Sequence, residues 1–263
     1  VLAACYAMGW DDEEIDVRIR KAFVETNPLG DYVLPVVGLS AGKRVEERLA
    51  EHFGERVIED LSVPFACVST DLVAGRSRTH RRGLLRDALR ATISLPGILP
   101  PVVTGDGGLL VDGAVLQNFP VELLRGLHRG PIVGVDVARR NSINAEDFRN
   151  PPDFLGWVSR HGLQSAPPII SLMMRTATLA VDPWAGRQGL DLLMLPDMPG
   201  IDLRDWRKFD QAVSAGYATA VAALSEDSQA LASLRPPRTS PAARPGPDIE
   251  NPQLALSTTD QSG

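Results

Sequence analysis

Ile132 to Val137 (IVGVDV) is six residues long and carries one polar side chain, Asp136, with Gly130 and Pro131 just ahead of it. A β-branched run without polar alternation reads as a strand buried on both faces, and such a strand needs helices above and below it. Segments of the right kind flank it. Trp10 to Phe23 has acids in its first turn and bases in its last, which suits the helix dipole. Lys43 to Phe53 sets Val45, Leu49 and Phe53 on one helical face. Val63 to Ser69 reads as a buried strand, and Tyr32 to Val37 as a short β-branched one. Leu84 to Ser94 reads as a helix stopped by Pro96 and Gly97, and Leu109 to Val111 as a strand entering Asp112. Pro120 to Leu127 reads as a helix, Leu192 to Leu195 as a strand, and Asp205 to Leu224 as an amphipathic helix. Strands alternating with helices predict an α/β fold, three layers α/β/α around a mostly parallel central sheet.

Composition separates body from tail. Residues 235–263 hold six of the 21 prolines and no aromatic residue, so the expectation is an ordered domain over 1–234 and a disordered Pro-rich tail over 235–263. A formal charge of −6 argues against a nucleic-acid-binding body. Two cysteines, Cys5 and Cys67, exclude a disulfide framework, and no two of the four histidines stand at metal-ligand spacing. A multi-His metal centre thus stays possible but unsupported, and the expectation is a cytoplasmic setting. Val1 to Met8 is apolar and small, with Gly9 placed as a helix C-cap, and reads as the second half of a buried helix.

The chemistry concentrates between Ser94 and Val121. Asp112 ends a strand, at the sheet edge where α/β proteins usually bind ligands. Gly113 lets the backbone turn without a Cβ, so that the carboxylate can stand next to another loop. Ala114 follows, then Asn118, a helix N-cap candidate, ahead of Pro120.

Asp112-Gly113-Ala114 followed by Asn118-Phe119-Pro120-Val121 resembles the Asp-Gly-Ala/Gly element of patatin-like phospholipases, in their bacterial and neuropathy-target-esterase-like branch. Val63 to Asp71, Gly75-Arg76-Ser77, Arg90 to Pro101, Ile132 to Val137, Phe209-Asp210 and Gly216-Tyr217 fall in the order of that branch. The resemblance implies a serine lipid acyl hydrolase with a Ser–Asp dyad, acting on phospholipid or lysophospholipid without metal or organic cofactor, with Asp112 as the base. It leaves Asp71 and Asp136 as structural carboxylates held by backbone N–H groups. The family's oxyanion loop and G-x-S-x-G elbow align upstream of Val1, so the chain as written is expected to be impaired in catalysis. A non-catalytic lipid- or partner-binding domain is the alternative.

Gly38-Leu39-Ser40-Ala41-Gly42 also spells G-x-S-x-G between a short strand and a helix. With Asp112 and either His128 or His161 it suits the chain order of an α/β-hydrolase triad, with Ser40 as nucleophile. Pro35 in the preceding strand and the lack of a Gly-rich segment upstream weigh against it. Arg76, Arg78, Arg81, Arg82, Arg86, Arg90 and His80 form one basic cluster. It reads as a solvated face, or as a surface that steers the domain to anionic lipid and peripheral membrane contact. Met173 and Met174, in the apolar Ile169 to Val181 segment, read as a core helix or as the lining of an acyl groove.

Overall fold

The computed structural model of the protein describes residues 1–33, 37–127, 130–137, 187–199, 201 and 206–226, together with seven single positions between 148 and 176. The tail expected over 235–263 lies outside the described residues, as do His128, His161, Met174 and positions 34–36.

The chain opens with helix α1 (Leu2–Ala7), closed by Gly9 at φ +82°, a left-handed backbone that glycine adopts without steric cost. Helix α2 (Asp12–Ile19) starts where the Asp11 carboxylate accepts the Glu14 N–H at 2.8 Å, and it runs on as a π-helical turn through Arg20–Glu25. Helix α3 (Lys43–Phe53) buries Val45, Leu49 and Phe53, the face its periodicity predicts. Strands β1 (Cys67–Asp71) and β2 (Arg76–His80) form a hairpin, followed by helix α4 (Leu85–Thr92) and strands β3 (Val102–Val103) and β4 (Leu109–Asp112). Helix α5 (Val121–Leu127), strands β5 (Val133–Val135) and β6 (Leu192–Met194) and helix α6 (Phe209–Glu226) complete the described elements.

Helices and strands are mixed as the α/β reading requires, but the strand directions depart from it. The larger described sheet has the order β2-β1-β4-β3 and is antiparallel at each of its three pairings. Parallel pairing occurs between β5 and β6. The expectation of a mostly parallel sheet is therefore not met among the described residues. Val63 to Ser69 is apolar enough to suggest a buried strand, but pairing begins only at Cys67 and runs to Asp71. Hydrogen bonding to the β2 hairpin and to β4 sets those limits. In β5 the valines Val133 and Val135 are exposed while Gly134 is buried, so that run is not covered on both faces.

The core lies where α1, α3 and α4 meet. Ala4 and Cys5 pack with Val45, Leu49, Phe53, Leu85, Ala88 and Leu89, and Trp10 stacks on Phe53 with ring centroids 5.7 Å apart. Each buried leucine or phenylalanine contributes about 1.5–3 kcal/mol. Arg90 belongs to this interior and not to a solvated face. Its guanidinium donates to Ser94 Oγ at 2.6 Å and Pro100 O at 3.1 Å, and pairs with Glu46 at 3.2 Å. It thereby ties α4 to α3 and to the loop after α4. We expect Arg90→Met to lower stability by about 3 kcal/mol in urea unfolding, because it strands the Pro100 carbonyl, breaks the tie to Glu46 and leaves the Ser94 hydroxyl only its bond to the residue 90 carbonyl. Arg90→Lys should recover less than half of that, since an ammonium cannot span three partners in the guanidinium's geometry.

Candidate functional site

Asp112 is the last residue of β4, a strand placed in the sheet by β1 on one side and β3 on the other. Its N–H donates to Ser94 O at 2.9 Å, so the loop leaving α4 fixes the strand end. Its Cα stands opposite Ser69 in the β1–β4 register. The chain then tightens into a 3-10 turn over Gly113–Val115, capped by Asp112, whose Oδ1 accepts the Ala114 N–H at 2.8 Å.

Gly113 has a different role from the one its turn suggests. Its φ is not in the left-handed region. A Cβ there would sit 2.3 Å from the Val68 carbonyl oxygen and 3.0 Å from that carbonyl carbon. The β1 backbone thus occupies the space of a side chain, and this close approach holds the Asp112 turn against the sheet.

Burial dominates the electrostatics. Desolvation raises the Asp112 carboxyl from its ordinary value to about 6, outweighing the Ala114 N–H and the Val1 α-ammonium, which both favour the charged form. The Val1 amine is itself buried and pushed down by desolvation, within electrostatic reach of Cys5, Cys67 and Asp112. Burial lifts the Cys67 thiol to about 12 and raises Cys5 too, so both stay neutral. Asp112 and the amine at the start of α1 are thus within electrostatic reach of each other. A carboxyl poised near 6 can take a proton at neutral pH and return it. Among the described residues, no serine, threonine or cysteine side chain hydrogen-bonds to it.

Ser40 is placed elsewhere. It is buried, its hydroxyl donates to Asp31, and its Oγ accepts the Gly42 N–H at 3.1 Å. Asp31 also accepts the Arg44 N–H at 3.3 Å, so Ser40 and Asp31 together organise the start of α3. Gly38 bridges Gly97, and the Ser40 N–H donates to Ile98 O, which lays this segment along the loop after α4. The structure does not bring Ser40 and Asp112 into a hydrogen-bonded pair, and the histidines considered with them lie outside the described residues.

Asp71 accepts the N–H groups of Val73, Ala74 and Leu109 at 3.0, 3.1 and 3.4 Å, and the Ala74 bond leads in holding it below the usual carboxylate range. That is the structural position its sequence context predicts. Asp136 pairs with the Arg187 guanidinium, a partner 51 residues away that no local pattern reveals. One polar pair escaped sequence reading altogether. Ser69 Oγ lies 2.8 Å from His80 Nε2. The signal was present in the hairpin: pairing Asp71 with Arg76 across Gly75 sets Ser69 diagonal to His80 on one sheet face. Among the described residues, no group of three or more His, Cys, Asp or Glu could hold a metal ion, and no helix is long and apolar enough to cross a membrane.

Residues 1–125 match the family model for patatin-like phospholipase. An uncharacterized NTE family protein of Mycobacterium tuberculosis is 32% identical over 232 residues, covering 85% of this chain and 40% of that protein. Neuropathy target esterase sws of Drosophila melanogaster is 30% identical over 141 residues, covering 53% of this chain and 10% of that protein. Patatin-like phospholipase domain-containing protein 7 of Rattus norvegicus is 33% identical over 129 residues, covering 48% of this chain and 9% of that protein. The chain thus spans at most about two fifths of the length of these relatives.

Proposed function

From the chain's membership of the patatin-like phospholipase family, which marks it as a lipid hydrolase domain, we propose that Asp112 is the proton acceptor of a Ser–Asp dyad hydrolysing acyl esters of phospholipids or lysophospholipids. The observation that carries this reading is the desolvated carboxyl at a strand end, raised to about 6 and within electrostatic reach of the Val1 amine. The hydroxyl comes from a part of the protein outside the described residues, entering beside the Val1 nitrogen. It donates its proton to Asp112 as its oxygen bonds to the ester carbonyl carbon, and the leaving alcohol then takes that proton. Water, deprotonated by the same carboxylate, bonds to the acyl carbon, the ester bond to the serine oxygen breaks, and that oxygen takes the proton back from Asp112 as the fatty acid leaves. None of these steps calls for a metal or an organic cofactor.

The 263-residue chain alone is expected to resist fluorophosphonate labelling and to leave p-nitrophenyl butyrate unhydrolysed. A polypeptide that adds a serine elbow directly before Val1 is expected to do both. In that polypeptide Asp112→Asn should lower kcat about 1,000-fold or more. The activity should rise with pH through a limb at or above pH 6. Converting the Val1 amine to an amide removes a positive charge that favours the ionised carboxyl, so the limb moves up and not down. Turnover by the 263-residue chain that vanishes in Ser40→Ala would assign the nucleophile to Ser40 and overturn this reading.

A further inference from the structure

A cleft of about 800 Å³ opens between α3, α4 and the β2 and β3 strands. Its polar side is cationic. Arg78 projects from β2, Arg82 from the turn ahead of α4, Arg86 and Arg90 from α4, and His80 joins them. Glu46 and Asp87 are the acids in the lining, so this place carries excess positive charge on a chain of net charge −6. Arg90 is consumed by internal bonds. Two of the others keep donors in hand: Arg78 meets Asp106 through Nη1, while Arg86 spends Nη1 on Glu55 and the Gly54 carbonyl and turns Nε to Asp87, which leaves its Nη2. Arg82 makes no hydrogen bond or ion pair among the described residues, with Glu59 the acid in electrostatic reach.

His80 gives the cleft a fixed component. Its Nε2 is held at 2.8 Å by Ser69, a serine with 0% exposure, so the ring is anchored from inside the sheet while its Nδ1 edge has no partner among the described residues. When Ser69 donates to Nε2, Nδ1 carries the hydrogen and becomes a donor. The lining also carries apolar side chains, Leu84 at the start of α4 and Val102 and Val103 from β3, and Val103 stands 74% exposed.

We propose that this cleft binds an amphiphile with a phosphate monoester head and a single acyl chain, the head between Arg82, Arg78 and His80 and the chain along the Leu84–Val103 wall. A dianionic head matches several converging donors, where a carboxylate would satisfy only one guanidinium fork. The volume is far larger than a bare phosphate needs and lies in the range of sites for drug-sized ligands. Binding does not depend on Asp112 acting as a base, since no bond is made or broken.

The test is calorimetric titration of the 263-residue chain with monomeric lysophosphatidate, glycerol 3-phosphate and oleate. Lysophosphatidate is expected to bind at least tenfold tighter than either of the other two. Arg82→Gln and His80→Gln should each weaken it about fivefold to twentyfold, with Arg82→Lys recovering part of the loss. Arg82 is exposed, so its replacement leaves the fold intact and circular dichroism unchanged. Equal affinity of parent and Arg82→Gln, or oleate binding as well as lysophosphatidate, overturns the proposal. Glycerol 3-phosphate binding as well as lysophosphatidate reassigns the site to free phosphate esters and overturns the apolar half of it. Esterase assays fail or succeed independently, so the two readings can be told apart.

Discussion

Asp112→Asn is expected to make the 263-residue chain more stable at pH 7.5 by about 3 kcal/mol, the equivalent of about two pKa units of lost carboxylate solvation. The sign follows from the two states. In the folded chain the carboxyl keeps its proton up to about pH 6, whereas in the unfolded chain it releases it near its ordinary value of 3.8. Between these values the folded state binds more protons, so the Asp112 contribution falls as pH rises from about 4 to about 6 and is constant above. An asparagine has no charge to desolvate, and its Oδ1 can still accept the Ala114 N–H. Thermal unfolding should therefore separate variant from parent by several degrees at pH 7.5 and hardly at all at pH 4. Equal stability at pH 7.5 would mean that the carboxyl is solvated, and the proposed base would lose its physical support. A residue that destabilises its own domain while ionised is the pattern of a functional group retained at a cost in stability.

Gly113→Ala is expected to have the opposite effect, lowering stability by about 3 kcal/mol. The added methyl would lie 2.3 Å from the Val68 carbonyl oxygen, and the obstacle is backbone, which has no rotamer to escape into. Either β1 shifts or the 3-10 turn lifts away, and in both cases Asp112 moves with it. Gly126→Ala is the matched control. Gly126 lies within α5 with nothing within 4 Å of the added Cβ, so that substitution should stabilise by about 0.5–1 kcal/mol through helix propensity. Guanidinium unfolding of the pair decides the matter. A tolerated alanine at 113 would show that the close approach of β1 is not what holds the turn.

How much was legible follows from the range of the forces involved. The amphipathic face of α3, the acid-to-base gradient of α2 and the Gly9 stop of α1 could be read directly, because each depends on neighbours within about one helical turn. Asp112 stood out through its strand-end position and its resemblance to a family element, and the structure places it on the strand end that those residues predict. Arg90 was misleading: an arginine in a run of arginines looks solvent-facing by type, yet it sits in the interior, bound to Glu46 and Pro100 as well as to Ser94 one turn on. The burial of Ser40 against Asp31 was equally absent from its local pattern.

What the sequence by itself determined is therefore the local part: which segments coil into helices, where they stop, and that a carboxylate closes β4. The tertiary structure decided strand direction, the β1–β4 register that sets Ser69 across from Asp112, and the anchoring of His80 over the basic cleft. It also decided the dielectric around Asp112. Helix periodicity is written in residues three and four apart, whereas pairing partners and desolvation depend on segments tens of residues distant arriving at the same place. A titration value is a property of that assembled surrounding, and no side chain carries it alone.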